Sequence, residues 1–375
     1  MLFLIATILL IWGMLFPPFN SAIGEDKMAS YEKENHFYLI ARKVAQEAVK
    51  KLGQGHDRSL LVLTNAGYAP GNNIDTSLAL EAIRQITGCA QEKKDLIVIN
   101  SAIDQPLYFF FFNRQSGESF YAQSRAESIL AKPLGEILPA ELSQLFPYML
   151  WQNISLNKII FATEEMEDLI KNKPFGRKWG TLINFAHLWA KDPPSTLIRI
   201  AQFHDHICPG VLSGYYIARF LMAKFPRREE ERYFFLSSPP YCKDDALQII
   251  FNQTVGKKGM AAMFLAEEDR ALLLPEAREA AGIFFRYDPQ NNRGQGAVLG
   301  FAWSKLLQDC KIRDQKVSFL NSLKQILFMI DQRDEYARYV YFIKIFDLPP
   351  GESPHNYARV GVNPWQKLGL WSKKD

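Results

Sequence analysis

Apolar residues recur at helical spacing between residues 34 and 52. Phe37, Ile40, Ala41, Val44, Ala48 and Leu52 share one face, which predicts an amphipathic helix. The apolar run Leu60-Leu61-Val62-Leu63-Thr64 predicts a short strand, and Asn65-Ala66-Gly67-Tyr68-Ala69-Pro70-Gly71 a turn after it. Asp75 or Thr76 can cap the next helix, which runs through Leu80, Ile83 and Ile86 and stops at Gly88. Strands are expected over 96–99 and 107–112. The turn Asn113-Arg114-Gln115-Ser116-Gly117 then leads to a hairpin partner over 119–122.

The second half repeats this order. A helix after Pro209 contains Tyr216-Ile217-Ala218-Arg219, much like Tyr38-Leu39-Ile40-Ala41-Arg42. A strand over 233–236 and the turn Ser238-Pro239-Pro240 follow. Asp245-Ala246-Leu247-Gln248 then opens a helix where the first half has Glu81-Ala82-Ile83-Arg84, and Gly256 is expected to end it as Gly88 does. The echo predicts two related α+β units, over 30–150 and 181–375, with mixed or antiparallel sheets packed against helices. A connecting region over 151–180 carries the acidic turn Glu164-Glu165-Met166-Glu167-Asp168, and Pro193-Pro194 leads into the second unit. A further strand is expected at 283–287, and core elements at 326–330 and 339–346. The Pro-, Gly- and aromatic-rich tail from Pro349 to Trp371 reads as an extended strap over the body.

Residues 2–16 are apolar and uncharged, Pro17-Pro18 break the run, and Asn20-Ser21-Ala22-Ile23-Gly24 precede the first charge at Glu25. This pattern reads as a signal peptide over 1–24 cleaved near Ala22 or Gly24, with export to the periplasm or the exterior. An uncleaved N-terminal anchor is the alternative, because no Lys or Arg precedes the run. It is short against the roughly 20 apolar residues that span a bilayer, and no later segment stays apolar for that length. The chain of 375 residues has a formal charge of +4. Its basic clusters, over 171–178 and at Arg227-Arg228, are short, so nucleic acid is not an expected partner. Four cysteines in a chain this long do not make a disulfide scaffold. Cys89 and Cys310 read as buried small hydrophobes.

Chemistry concentrates at Phe203-His204-Asp205-His206-Ile207-Cys208-Pro209-Gly210, which holds two of the six histidines and one of the four cysteines. Imidazole and thiolate are ligands that zinc and its neighbours prefer. On an extended chain His204, His206 and Cys208 would share a face, with the outer pair about 13 Å apart. Metal bonds of about 2.0–2.3 Å cannot collect that pair from a straight strand, so the chain must bend. Pro209 suits the first position of a helix. That places Cys208 at a helix N-terminus, where the dipole and free amides favour thiolate. Gly214, inside the helix, predicts close approach of another element or a ligand. Cys242 also lies near a helix start, with Asp244 and Asp245 in the first turn. Asp244 reads equally well as a simple dipole-complementing charge, and Asp245 as the residue that orients an imidazole or reaches a ligand.

The His-x-His-x-Cys-Pro-Gly segment, with Gly214 after it, resembles the signature of the FmdE family, whose name comes from formylmethanofuran dehydrogenase. Cys242, Asp245, Ala246, Leu247 and Gln248 match the family's later Cys-x-x-Asp-Ala-Ile-Gln, and Gly256-Lys257-Lys258-Gly259 its Gly-Lys-Gly turn. Asp205 departs from the pattern, which has Gly between the histidines. The first unit resembles the same family in a degenerate form. It matches at Glu81-Ala82-Ile83, Thr87-Gly88-Cys89 and Asn113-Arg114-Gln115-Ser116-Gly117, but has Leu78 in place of the first Cys and no His-x-His-x-Cys entrance. It therefore reads as structural, or as a wall of the cleft. The resemblance implies an α+β domain, often a homodimer, with a His/Cys cleft for a divalent metal such as zinc. It does not imply the catalytic component that carries molybdenum or tungsten, and no Cys-x-x-Cys array for iron–sulfur clusters is present.

Three functions follow as expectations. In the first, His204, His206, Cys208 and Cys242 hold a divalent metal, most simply Zn, with room for metal-assisted chemistry on a small molecule. His204 is then the acid/base candidate and Asp245 its orienter. In the second, Cys208 and Cys242 form a redox or structural thiol pair. In the third, Tyr215, Tyr216 and Tyr241 line a pocket in a module that binds an organic cofactor or a partner protein. Gly256-Lys257-Lys258-Gly259 lacks the glycines and hydroxyl of a phosphate loop, and no Gly-x-Ser-x-Gly elbow supports an acyl hydrolase.

Overall fold

The computed structural model describes residues 35–55, 58–68, 75–160, 171–173, 176–312 and 319–372. The expected leader, the acidic turn over 164–168 and the Pro70-Gly71 end of the first turn lie outside these residues. Helix α1 (His36–Leu52) starts at Asn35, whose side chain accepts from the Phe37 and Tyr38 amides. Two of the unpaired first-turn donors are thereby satisfied. The fully buried strand β1 (Leu60–Thr64) follows, then α2 (Leu78–Thr87) and β2 (Leu96–Val98). Next come β3 (Leu107–Asn113), β4 (Glu118–Ser124) and β5 (Tyr148–Asn153). The Asn113 carboxamide shapes the β3–β4 turn by accepting from the Gln115 and Ser116 amides. The cap of α2 differs from expectation. Ser77 occupies the N-cap, while Asp75 accepts from the Ser77 amide at the helix entry and Thr76 accepts from the Gly67 amide, tying that entry to the preceding loop.

Helices α3 (Trp179–Trp189) and α4 (Ser195–His204) lead into the second unit. That unit runs α5 (Pro209–Lys224), β6 (Arg232–Ser237), α6 (Lys243–Phe251), β7 (Met260–Ala262), β8 (Ala280–Asp288) and β9 (Arg293–Phe301). It closes with α7 (Phe319–Asp331), β10 (Val340–Asp347) and the short helices α8 (His355–Ala358) and α9 (Pro364–Lys367). The sheets have the orders β2-β1-β3-β4-β5 and β7-β6-β8-β9-β10. In each, the first pair is parallel and the rest antiparallel. The chain thus contains two structurally similar α+β units. A constant offset of 164 positions relates the left-handed Gly88 and Lys94 to Asn252 and Lys258, and the starts of β2 and β7 to each other. Asn252, not Gly256, therefore ends α6.

Alternation along the strands sends successive side chains to opposite faces. Leu60, Val62, Phe109 and Phe111 pack beneath α1 and α2. Leu61, Leu63, Phe110 and Phe112 face the other way, into a cluster with α3, α4, α5 and α7 that also takes Phe235, Phe284 and Leu299 from the second sheet. The far face of the second sheet, with Phe234, Leu236 and Phe285, is covered by Tyr357, Trp365 and Leu370 of the tail. The tail is partly helical, and Trp365 anchors it by donating its indole N–H to Ser238 Oγ at 3.0 Å. Strand β10 is an edge and largely exposed rather than core. Cys89 is buried as expected, whereas Cys310 is only half-buried. Among the described residues no helix is long and apolar enough to cross a membrane.

Candidate metal centre

The motif bends because it joins two helices. His204 is the last residue of α4, Asp205 takes a left-handed conformation at φ 64°, and Cys208 is the N-cap of α5. A left-handed residue reverses the chain sharply and suits Gly, Asn or Asp. The reversal replaces the extended geometry with a tight corner and stacks the two imidazoles 4.2 Å apart, centroid to centroid. Pro209 occupies the first turn of α5, as its missing N–H allows. Asn184 of α3 donates to the Ile207 carbonyl at 3.2 Å, and Lys178 lies 4.0 Å from Asp205. The corner is therefore held from the layer shared by the two units.

Helix α6 brings in Cys242 as its N-cap. A side chain at Gly214 would strike the Lys243 carbonyl and come within 2.7 Å of Ala246 Cβ. One at Gly210 would sit 3.0 Å from Cys242 Cβ. Glycine at these two places lets the starts of α5 and α6 converge, which is the close approach expected of Gly214. The turn into α6 is pinned by a buried ion pair between Lys243 and Asp244 at 2.8 Å. Lys243 also donates to Ser237 Oγ and the Pro239 carbonyl, while Asp244 accepts from Ser237 Oγ and the Tyr241 amide. Burial, opposed by the Asp244 charge, draws the Lys243 pKa down. Asp244 is thus a buried partner of Lys243 and a loop acceptor, more than a charge offered to the helix dipole.

The result is a His2Cys2 cluster capable of binding a divalent metal. One donor atom each from His204, His206, Cys208 and Cys242 lies within 4.8 Å of all the others. Tetrahedral bonds of about 2.0–2.3 Å span edges of about 3.3–3.8 Å, so only a small contraction separates this set from a zinc shell. His204 Nδ1 is 2.6 Å from Asp245, and His206 Nδ1 is 2.8 Å from Asp205. Carboxylates on both Nδ1 atoms fix the tautomers and leave both Nε2 atoms for a metal. His204 Nε2 is buried and makes no hydrogen bond, an arrangement that is costly unless something else occupies it. The donor chemistry fits a divalent metal.

Electrostatics agree with a site short of positive charge. Burial opposes ionisation of His204, but its hydrogen bond to Asp245 and the nearby Cys242 sulfur outweigh that and hold its pKa at about 9. His206 is shifted upward, burial again being overcome by the hydrogen bond to Asp205. Cys242 is drawn far down by hydrogen bonding with Cys208 and then by the two histidines. Cys208 is pushed up by hydrogen bonding with Cys242 and by burial. Cys208 sits at the helix start as expected, and its sulfur accepts from the Val211 amide at 3.4 Å.

Four sequence-derived donors and Asp245 thus meet at one place. Tyr216 instead packs in the core, donating to the Met329 and Gln332 carbonyls. Tyr241 lies over Lys243, with Nζ 4.1 Å from the ring centroid. Asp205 is the residue whose contribution sequence reasoning missed, and its departure from glycine between two histidines was the available signal.

Residues 203–338 match the family described as FmdE, Molybdenum formylmethanofuran dehydrogenase operon. No curated protein matches the chain.

Proposed function

We propose, from the premise that residues 203–338 form an FmdE-family domain, that this protein binds one divalent metal, zinc first, on His204, His206, Cys208 and Cys242. The convergence of four donor atoms within 4.8 Å carries this reading. A bound metal supplies positive charge and Lewis acidity to whatever reaches it. The chain's own residues do the rest. Asp245 and Asp205 hold the two Nδ1 atoms, and the Lys243–Asp244 pair fixes the loop that presents Cys242. Four protein donors make a closed shell, as in structural zinc sites. Chemistry on a small molecule therefore needs one donor to withdraw. In that form His204, oriented by Asp245, is the group that moves a proton at Nε2.

The apolar, charge-free run over 2–16 supports export of the chain, and a homodimer belongs to the same reading. The test is metal content by mass spectrometry on protein purified without chelator, with thiols counted before and after metal removal. About one divalent ion per chain, released together with Cys thiols and lost in Cys208→Ser, is the expected result. A metal-free chain with Cys208 joined to Cys242 would instead establish the thiol reading, which the closeness of the two sulfurs also supports.

A further inference from the structure

A cavity of about 310 Å³ lies against the first sheet, beside the motif corner, lined by Tyr108, Gln123, Tyr148, Gln105 and Lys178 among others. This volume is at the small end of ligand pockets. Tyr108 is 1 % exposed and its ring stacks on Tyr121 with centroids 6.0 Å apart. Its hydroxyl is buried and has no hydrogen-bond partner. A buried hydroxyl left unpaired is unfavourable, and native chains keep few of them without a purpose. Burial first, then the charge of the Tyr121 phenol group and of the Asp205 carboxylate, pushes its pKa well up, so it stays a donor.

Two further polar side chains of the cavity, Gln123 and Lys178, can donate. The Tyr121 hydroxyl donates to Gln123 Oε1 at 2.5 Å, which leaves the Gln123 amide N–H groups to point elsewhere. Lys178 Nζ lies 5.8 Å from the Tyr108 ring centroid and only at the 4.0 Å limit of contact with Asp205. A hydroxyl, an amide and an ammonium beside aromatic walls recognise an acceptor-rich, flat anion. Lys178 and His206 share Asp205, which puts this cavity next to a donor of the metal centre.

We infer that this cavity binds a small aromatic carboxylate and presents it beside His206. The carboxylate takes hydrogen bonds from Lys178 and the Tyr108 hydroxyl, and the ring lies against Tyr108 and Tyr148. Delivery to the metal centre rests on the function proposed above; binding in the cavity does not.

Calorimetric titration of the full protein, as purified without chelator, with benzoate, benzamide and benzylamine tests this. Benzoate is expected to bind, benzamide about tenfold more weakly, and benzylamine not at all, because each lost charge-assisted hydrogen bond is worth about that factor. Tyr108→Phe, which keeps the ring and its stacking, should weaken benzoate about tenfold with metal content unchanged, and Lys178→Met should also weaken it about tenfold. Equal affinity for the three probes, no benzoate binding, or an unaffected Tyr108→Phe overturns the proposal. Benzoate binding to a chain that never holds metal upholds the pocket and overturns the metal reading instead.

Discussion

The starts of α2 and α6 occupy the same place in two similar units, yet they are built from opposite materials. At the common offset, Leu78, Ala79 and Leu80 stand where the second unit has Cys242, Lys243 and Asp244. Glu81, in the place of Asp245, pairs at the surface with Arg84 and Gln85. Ala82 and Ile83 are buried like Ala246 and Leu247. The fold evidently needs only the last two positions. A turn made from leucine and alanine folds without a buried charge, whereas burying Lys243 and Asp244 carries a desolvation cost that apolar side chains avoid. Polar groups kept at such a place, against the local preference for packing, mark a site.

That contrast can be broken by experiment. The largest effect should come from Lys243→Met, which leaves Asp244 buried without its partner. A loss of about 3–5 kcal/mol in urea unfolding is expected, and an unchanged midpoint would show that the second unit tolerates the first unit's chemistry.

Histidine supplies the next contrast. His187, on α3, is buried against the first sheet and bonds the Ile154 carbonyl through Nε2 at 2.8 Å. Burial, only partly opposed by that bond, lowers its pKa to about 4. Its folded-state pKa thus lies below the unfolded value of about 6.5, and the unfolded chain binds the extra proton between these limits. Its contribution is complete above pH 6.5 and falls as pH drops toward 4, by about 3 kcal/mol. In chelator-treated protein, His187→Gln should flatten the acid limb of stability against pH by that amount. An identical acid limb would place the proton elsewhere.

Asp245→Asn and Asp205→Gly each leave the four donors in place but remove one imidazole's anchor. Competition with a chromogenic chelator should show zinc affinity lower by about 10–100-fold in each. If only Asp245→Asn has an effect, His206 does not depend on its neighbour. The smallest change should be Cys89→Ser. The Cys89 thiol is buried, with its pKa pushed up to about 12 by desolvation, so metal stoichiometry should not move.

Much of this was legible in advance, for a physical reason. Strands such as Leu60–Thr64, the Asn113 turn and the amphipathic α1 are dictated by local patterns. Gly214 and the two helix-start cysteines announced a convergence because glycine inside a helix and proline at its start have few other uses. The corner at Asp205 was less readable. Helix α4 up to His204 was not anticipated, and alternation of His204, His206 and Cys208 looked like a strand pattern. Only the left-handed Asp205 reveals a helix ending there. Lys178 and Tyr108 carried no local signal at all, since their importance comes from contacts between distant parts of the chain.

The helical layer of α3, α4, α5 and α7 is common property of both sheets. A protease cutting between the units would therefore not release two independent bodies, because each would carry away a bare apolar face. The matched segment, residues 203–338, ends before β10 begins at Val340 and before the Trp365 anchor. Expressed alone, it would be a sheet stripped of one edge and one cover, and aggregation rather than a minimal working domain is the expected product.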